Sequence, residues 1–233
     1  MINMLHLVLV EAPLELIPLS IATQPIIQMI AKKRGKKPTD MLLDISLHYK
    51  AMKYLPKRHK RGRPDIVHRF LIESLGSPFN KMGLLKTYIH TINDEIIEMR
   101  QDLRIPKNYN RFIGLMEQLL IEGAVPKDEP LMWIFKGSLQ QLIERIKPEI
   151  IILMHEKGEY MNVMELAEKI SRFKNSMILV GGFPHGDFEK EIFELSNIRV
   201  SIYDEPLETG IVVSRILCGL ELKVASHLKL GKQ

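Results

Sequence analysis

Residues 149–154 read Glu-Ile-Ile-Ile-Leu-Met, and residues 176–181 read Ser-Met-Ile-Leu-Val-Gly. A third run, at residues 198–203, reads Ile-Arg-Val-Ser-Ile-Tyr and is rich in β-branched side chains. Short runs that are apolar on both faces are typical of strands buried in a parallel sheet. The second half of the chain therefore predicts at least three such strands.

Helical patterns separate and follow these runs. Residues 162–173 begin with Asn162, and Glu165 stands three positions later, as in a capping box. The chain ends in a long helical pattern with Thr209 as its candidate N-cap. Its apolar residues recur at helical spacing, at Val213, Leu217, Leu220, Val224 and Leu228. Strands that alternate with helices predict an α/β fold with a mostly parallel sheet and helices on both faces.

The first half is less regular. Residues 4–10 and 85–91 have the pattern of strands, and residues 111–122 have that of a helix ending near Gly123. Residues 66–74 resemble a strand or a mixed element. The first half thus predicts further strands for the sheet, with elements that the periodicity does not order.

Composition limits the class of protein. Of the 233 residues, 45% are hydrophobic and 26% are charged, which is ordinary for a globular chain with a substantial core. The single cysteine excludes an intrachain disulfide and favours a reducing compartment. We see no signal peptide, no apolar run of about 20 residues and no metal-ligand spacing among the histidines. These features predict a soluble, cytoplasmic protein that binds neither a membrane nor a metal.

The positive charge is concentrated in one part of the chain. The net charge is +5, but residues 1–147 carry 23 basic and 15 acidic groups, whereas residues 148–233 carry 10 and 13. Residues 32–63 contain 12 Lys or Arg against only Asp40 and Asp44. A basic patch of this kind favours a polyanionic partner such as RNA.

Two loops are candidate ligand-binding segments. Residues 180–188 read Val-Gly-Gly-Phe-Pro-His-Gly-Asp-Phe and follow one predicted strand, and residues 201–210 follow the next. Ligands of α/β sheets collect beyond the carboxyl ends of the strands, where glycines let the backbone approach them. Neither loop has the dinucleotide or Walker spacing. On these residues alone, both loops are also compatible with plain turns between a strand and a helix.

Two basic motifs are candidate RNA contacts. Arg63-Pro64-Asp65 places a carboxylate where it can orient a guanidinium, since the two side chains point to the same side if the segment is extended. The second motif, residues 104–111, reads Arg-Ile-Pro-Lys-Asn-Tyr-Asn-Arg, and its Lys107 and Arg111 share a face if the segment is helical. Phosphate contacts from such residues supply affinity more than sequence choice. The alternatives are a surface ion pair and a solvated helix start.

Together, four segments resemble the family of small-subunit ribosomal RNA pseudouridine N1-methyltransferases, ribosome-biogenesis factors of the SPOUT class. They are Arg63-Pro64-Asp65-Ile66-Val67-His68, Arg104-Ile105-Pro106, Gly181-Gly182-Phe183-Pro184-His185-Gly186, and the loop from Tyr203 to Gly210 with its final helix. The segments span most of the chain in the order that the family has. Their combination is more specific than any one of them.

The resemblance implies a SPOUT-type trefoil-knotted α/β domain covering residues 1–233, with a basic RNA-facing extension within residues 32–111. In such a domain the last helix is threaded through a loop, which periodicity does not indicate. The resemblance also implies a homodimer, S-adenosyl-L-methionine as cofactor and small-subunit ribosomal RNA as partner.

The resemblance further implies roles for particular residues. The cofactor-binding set would be Met154, Gly181, Gly186, Ile202, Tyr203, Asp204, Glu205, Pro206 and Leu207. The RNA-binding set would be Arg63, Arg104, Lys107 and Arg111. Asp65 and Arg63 would be the catalytic pair, with Asp65 either orienting Arg63 or acting on the target base. The family often has arginine where Lys107 stands, and lysine lacks the bidentate fork.

The implied activity is methylation of N1 of a pseudouridine in small-subunit ribosomal RNA during ribosome biogenesis. The alternative is a non-catalytic RNA-binding factor for assembly of the small subunit. A pure assembly factor would not need a cofactor cleft, so loops at 181–186 and 202–207 favour the enzyme. A different α/β enzyme that uses a nucleotide is disfavoured because a phosphate-binding fingerprint is lacking.

Overall fold

Residues 4–230, which the computed structural model describes with side chains through residue 225, contain eight strands in one sheet. In chain order they are β1 (Met4–Ala12), β2 (Leu85–Thr91), β3 (Ile96–Met99), β4 (Ala124–Val125), β5 (Met132–Phe135), β6 (Ile150–Tyr160), β7 (Asn175–Gly181) and β8 (Ile198–Ser201). Their order across the sheet is β4-β5-β3-β2-β1-β7-β6-β8.

The sheet has a parallel part and an antiparallel edge. Strand β1 pairs in parallel with β2 and β7, and β6 pairs in parallel with β7 and β8. The ladders β2·β3, β3·β5 and β4·β5 are antiparallel. The three apolar runs of the second half are β6, β7 and β8, which confirms the predicted parallel strands. In space, β6 lies between the other two.

Ten α-helices accompany the sheet in the described residues. They are α1 (Leu19–Ala22), α2 (Pro25–Arg34), α3 (Ile45–His48), α4 (Pro64–Gly76), α5 (Pro78–Lys81), α6 (Tyr109–Glu122), α7 (Leu139–Ile146), α8 (Val163–Ser171), α9 (Lys190–Leu195) and α10 (Thr209–Leu230). The capping box at α8 is confirmed, because Asn162 accepts from the Glu165 N–H and Glu165 accepts from the Asn162 N–H.

The prediction of a strand or mixed element at residues 66–74 is wrong, because these residues lie within α4. Pro64 occupies the first helical turn, where its missing N–H costs nothing. Val67, Phe70 and Leu71 are fully buried at helical spacing. The dense apolar sequence had concealed this periodicity.

The stripe of the last helix faces the core. Val213, Leu217 and Leu220 are buried in α10, and Val224 is half-buried against the same cluster. Leu228, which the stripe also included, lies outside the described side chains. Within residues 4–230, no helix combines the length and apolarity needed to cross a membrane.

Both faces of the sheet are covered. Along β1, Leu5, Leu7 and Leu9 join a cluster with residues of α4, α6, α8 and α10, whereas Val8 and Val10 join a second cluster with α7 and α9. This alternation confirms the predicted helices on both faces. A third, smaller cluster joins α1, α2 and residues 41–55, so the basic segment has a core of its own.

A buried histidine makes stability depend on pH. Burial, aided by the nearby charge of Lys86, lowers the pKa of His6 in β1 from 6.5 to about 4. As the pH falls, His6 is protonated in the unfolded chain before it is protonated in the folded one. The contribution of His6 to the free energy of unfolding is therefore fully present above pH 6.5 and is lost as the pH falls toward 4. We expect this one group to remove up to about 3 kcal/mol over that range.

The measurement is urea unfolding from pH 7 to pH 4 for the wild type and for His6→Phe. The variant keeps a ring beside Tyr88, 5.8 Å from the His6 ring in the wild type. Carboxylates and other histidines titrate in both proteins, so the difference between the two curves isolates His6. Parallel curves would contradict the prediction.

Candidate active site

A cavity of about 480 Å³ lies at the carboxyl ends of the parallel strands. Its walls come from a first loop (residues 182–189) after β7, a second loop (residues 202–208) after β8, and residues 154–157 of β6. The Thr209 hydroxyl donates a 2.7 Å hydrogen bond to the Gly181 carbonyl, which joins the ends of β7 and α10. The two loops therefore face one space, although their strands are separated by β6.

The cavity gathers most of the residues predicted for the cofactor. Eight of the nine line it: Met154, Gly181, Gly186, Ile202, Tyr203, Glu205, Pro206 and Leu207. Asp204 is not among the residues that line it. Sequence reasoning missed several wall residues, among them Phe183, Phe188 and Thr209. The two phenylalanines lie within the quoted glycine loop, but their role depends on packing that spacing alone does not reveal.

The first loop is held by aromatic contacts and a histidine. The Phe183 and Phe188 rings meet edge to face, 5.0 Å apart. His155 Nδ1 accepts from the Lys157 N–H at 3.0 Å, so its Nε2 carries the proton and donates to Asp187 at 2.9 Å. Burial raises the pKa of the Asp187 carboxyl, but the His155 and Phe188 donors more than offset this, and the pKa lies below its usual value.

The residues that line the cavity limit the chemical class of ligand that it can bind. Val180, Val200, Ile202, Leu207 and Val212 supply apolar surface, and Gly181 and Gly186 leave the backbone uncovered where they line the cavity. The ionisable wall groups include three carboxylates and one lysine: Glu156, Asp187, Glu205 and Lys157. This mixture suits a flat, partly apolar ligand with positive charge better than a polyphosphate. Among the residues that the structure describes, His, Cys, Asp and Glu form no group that could hold a metal ion.

Arg63 and Asp65 form a bidentate pair at the start of α4. Arg63 Nε and Nη2 donate to the two carboxylate oxygens at 2.8 and 2.7 Å. The pairing arises although the segment is not extended throughout, because Arg63 is the N-cap and Asp65 lies in the first turn. These hydrogen bonds, more than the other nearby groups, raise the pKa of the Arg63 guanidinium. The pair is half exposed, so it can meet a ligand.

The second basic motif lies beside this pair. His68 of α4 is hydrogen-bonded to the Pro106 carbonyl at 2.8 Å, and the Tyr109 hydroxyl donates to Asp44 at 3.0 Å. The first contact holds the loop before α6 against α4, and the second joins the start of α6 to Asp44, the N-cap of α3. The predicted RNA contacts Arg104, Lys107 and Arg111 are all exposed.

Helix α4 also contacts the second loop. Arg69, six residues after Arg63, forms an ion pair with Glu208. A Cβ placed on Gly210 would lie 2.7 Å from the Arg69 side chain, so the two segments are in close contact. Helix α4 thus begins at the Arg63–Asp65 pair and also contacts the second loop, which contributes to the cavity wall.

The basic segment is less free than its composition suggests. Three buried carboxylates form ion pairs with four of its 12 cations: Glu117 pairs with Arg34 and Lys36, Glu11 with Lys60, and Glu15 with Arg61. These four cations stabilise the fold of the segment. Lys60 and Arg61 are therefore largely withdrawn from a phosphate backbone, whereas the side chains of Arg34 and Lys36 remain 31% and 38% exposed.

Known proteins are similar to this chain in sequence and in fold. Residues 7–221 match the family described as EMG1/NEP1 methyltransferase. The ribosomal RNA small subunit methyltransferase Nep1 of Staphylothermus marinus is 47% identical over 93% of this chain and 95% of its own. That of Thermococcus kodakarensis is 45% identical over 94% and 98%.

A solved structure extends the comparison to three dimensions. Archaeoglobus fulgidus Nep1 bound to S-adenosylhomocysteine superposes with a TM-score of 0.85 at 38% identity, over 94% of this chain and 98% of that one. This similarity confirms the expected SPOUT-type α/β fold. The chain belongs to the EMG1/NEP1 methyltransferase family.

Proposed function

We propose that the protein transfers a methyl group from S-adenosyl-L-methionine to N1 of a pseudouridine in small-subunit ribosomal RNA. The observation that carries the proposal is the cavity between the two loops, in a fold shared with a relative bound to S-adenosylhomocysteine. The names of the relatives supply the RNA class. The choice of pseudouridine rests on the four motif segments.

The cavity fits the proposed donor. Its apolar walls suit an adenine ring, and its carboxylates suit the positive sulfonium and ammonium groups. We assign the donor to Met154, Gly181, Gly186 and the second loop, with Asp204 left out because it does not line the cavity. When bound, the donor supplies an activated methyl group.

The target base must be presented to that methyl group. Pseudouridine has an N1–H on the free edge of its ring, and a base in a hairpin loop can leave its stack to enter a site. A bond forms between N1 and the methyl carbon, the carbon–sulfur bond breaks, and the N1 proton is released. The protein mainly needs to hold N1 in line and to stabilise the developing charge.

We assign Arg63 to binding the RNA so that N1 is held in line with the methyl group, and Asp65 to orienting Arg63. Both carboxylate oxygens of Asp65 already accept hydrogen bonds from Arg63, which supports the orienting role over direct removal of the N1 proton. Asp65→Asn tests the alternative. An unchanged rate of methyl transfer at saturating RNA would exclude Asp65 as the base.

The defining experiment incubates the protein with labelled S-adenosyl-L-methionine and two hairpin RNAs that differ only by uridine or pseudouridine in the loop. Mass spectrometry of the nucleosides is expected to find N1-methylpseudouridine in the second RNA and no methylated base in the first. Methylation of both would contradict the base choice. Binding of the RNA with no heat from S-adenosylhomocysteine would favour a non-catalytic assembly factor.

The working form and place are also part of the proposal. We expect a homodimer, as the resemblance implies, that acts in the cytoplasm on ribosomal RNA. Multi-angle light scattering at micromolar concentration gives the mass directly. A mass of 26.9 kDa for the protein without RNA would contradict the dimer.

Salt should weaken RNA binding steeply. If Arg63, Arg104, Lys107 and Arg111 each neutralise one phosphate, the slope of log K against log salt is about −3, or about 50-fold in affinity between 50 and 200 mM. Lys107→Ala should make the slope shallower by about one. Filter binding of the hairpin measures both.

Lys174→Ala is the matched control. Lys174 is exposed and directly precedes β7, at the amino ends of the parallel strands and opposite the cavity. Its removal should leave the slope unchanged. A wild-type affinity that hardly varied with salt would count against the assignment of all four cations.

A further inference from the structure

A buried ion cluster lies behind the first loop, apart from the cavity wall. Lys60 is 2% exposed and Glu11 is 5% exposed. The Lys60 Nζ lies 3.2 Å from each oxygen of Glu11 and 3.1 Å from Glu189 Oε1. Glu189 ends the first loop, so the lysine joins that loop to the basic segment.

Lys60 also contacts the other end of the first loop. Its Nζ lies 4.5 Å from the centre of the Phe183 ring, a cation–π distance. One ammonium therefore contacts the second and the last residues of the loop. The middle is close as well, because a Cβ on Gly186 would lie 2.9 Å from the His59 ring.

The cluster is anchored to the centre of the sheet. Glu11 lies near the end of β1, and its backbone has a positive φ of 53°. Its N–H donates to His90 Nδ1 of the neighbouring strand at 3.3 Å. Burial raises the pKa of the Glu11 carboxyl, and the ammonium of Lys60 opposes this rise. The carboxylate and the lysine thus depend on each other, because either charge alone would be buried without a partner.

We propose that Lys60 is a positioning residue for the methyl donor, holding the first loop in its binding conformation through Glu189 and Phe183. The inference rests on the proposed function, because it assigns the donor to this loop. A purely structural role for Lys60 would be limited to neutralising Glu11. Adding Glu11→Gln to Lys60→Met removes the buried carboxylate charge that the lost lysine leaves unpaired. It should therefore restore everything if Lys60 only neutralises Glu11, but not the donor affinity if Lys60 also positions the first loop.

The test measures kcat and KM for S-adenosyl-L-methionine, the Kd of S-adenosylhomocysteine by calorimetry, and the thermal midpoint. The variants are Lys60→Met, Glu11→Gln/Lys60→Met and Glu189→Gln. Lys57→Met is the control, since Lys57 also contacts Glu189, at 3.0 Å, but has a side chain that is 54% exposed.

Lys60→Met should raise KM and Kd about tenfold, as for one lost charge-assisted interaction, while kcat at saturating donor stays within about threefold. A loss of folded protein would instead lower kcat and leave KM unchanged. The double variant should regain the thermal midpoint but not the affinity. Lys57→Met should change neither KM nor Kd by more than about twofold.

Two results would overturn the proposal: a donor affinity in Lys60→Met equal to that of the wild type, or full recovery of affinity in the double variant. If both Lys60 variants fail to fold, Glu189→Gln decides, because it removes the loop end of the cluster without leaving a buried charge. Unchanged affinity in Glu189→Gln would then overturn it. Absence of S-adenosylhomocysteine binding by the wild type would instead refute the proposed function.

Discussion

Arg63→Lys is expected to slow methyl transfer at saturating RNA and donor about 100-fold, the cost of misplacing a reacting group by about 1 Å. Lysine keeps the positive charge but cannot make the two parallel hydrogen bonds that Arg63 makes to Asp65 at 2.8 and 2.7 Å. The charge would remain near the RNA while its orientation is lost. The thermal midpoint should barely move, because a half-exposed ion pair contributes about 1 kcal/mol or less to stability.

The chain offers a matched control for this substitution. Arg100 and Asp102 have the same spacing and a similar bidentate geometry, at 2.9 and 2.8 Å, and both are exposed. Arg100→Lys should leave kcat unchanged. Single-turnover methylation of the pseudouridine hairpin measures both variants. Equal rates for Arg63→Lys and the wild type, or equal slowing by Arg100→Lys, would contradict the prediction.

Asp65→Asn extends the same measurement to the role of the carboxylate. If Asp65 only orients Arg63, the two residues act as a unit, and the double variant should be no slower than the slower single variant. If Asp65 also takes the proton from N1, Asp65→Asn should be slower than Arg63→Lys and should change the pH profile of kcat.

Local sequence predicted the elements that depend on local interactions. The strands β6, β7 and β8 follow from apolar runs bounded by polar residues, and the start of α8 follows from the Asn162 capping box. Such signals involve residues within one turn or one strand. The helix α4 escaped because Ile66, Val67 and Phe70 fit either period until the sheet shows which face is buried.

The arrangement of these elements depends on distant contacts. The insertion of β6 between β7 and β8 places two strand ends that follow each other in sequence on either side of a third strand. The cavity lies between the two loops that follow β7 and β8, and Met154 of β6 lines it. The strand order across a sheet is set by packing of whole elements, which spacing within one element does not encode.

The charge pattern shows the same limit. The 12 cations of residues 32–63 predicted a basic surface, but the three carboxylates that pair with four of them lie elsewhere in the sequence. Glu117 is 83 residues from Arg34, and Glu15 is 46 residues from Arg61. A count of charges cannot distinguish a cation that binds RNA from one that supports the fold. The pairing of Arg63 with Asp65 could be predicted because the two residues lie within three positions of each other.

Gly186→Val should weaken the binding of S-adenosylhomocysteine about 100-fold, or about 3 kcal/mol. Gly186 lines the cavity with a φ of +98°, a conformation that a β-branched residue hardly adopts. Its Cβ would also lie 2.9 Å from the His59 ring. The ring can shift, but the backbone strain remains, so the first loop should leave the conformation that contacts the donor.

Gly35→Val separates this effect from general strain. Gly35 ends α2 with a φ of +62°, and a Cβ there would meet nothing within 4 Å. The control should lose about 1 to 2 kcal/mol of stability and keep its affinity, because Gly35 is not part of the cavity wall. Calorimetric titration and urea unfolding of both variants give the comparison. Equal affinity in Gly186→Val and the wild type would mean that the first loop does not hold the donor, since the strain would then act on a segment that binding does not use.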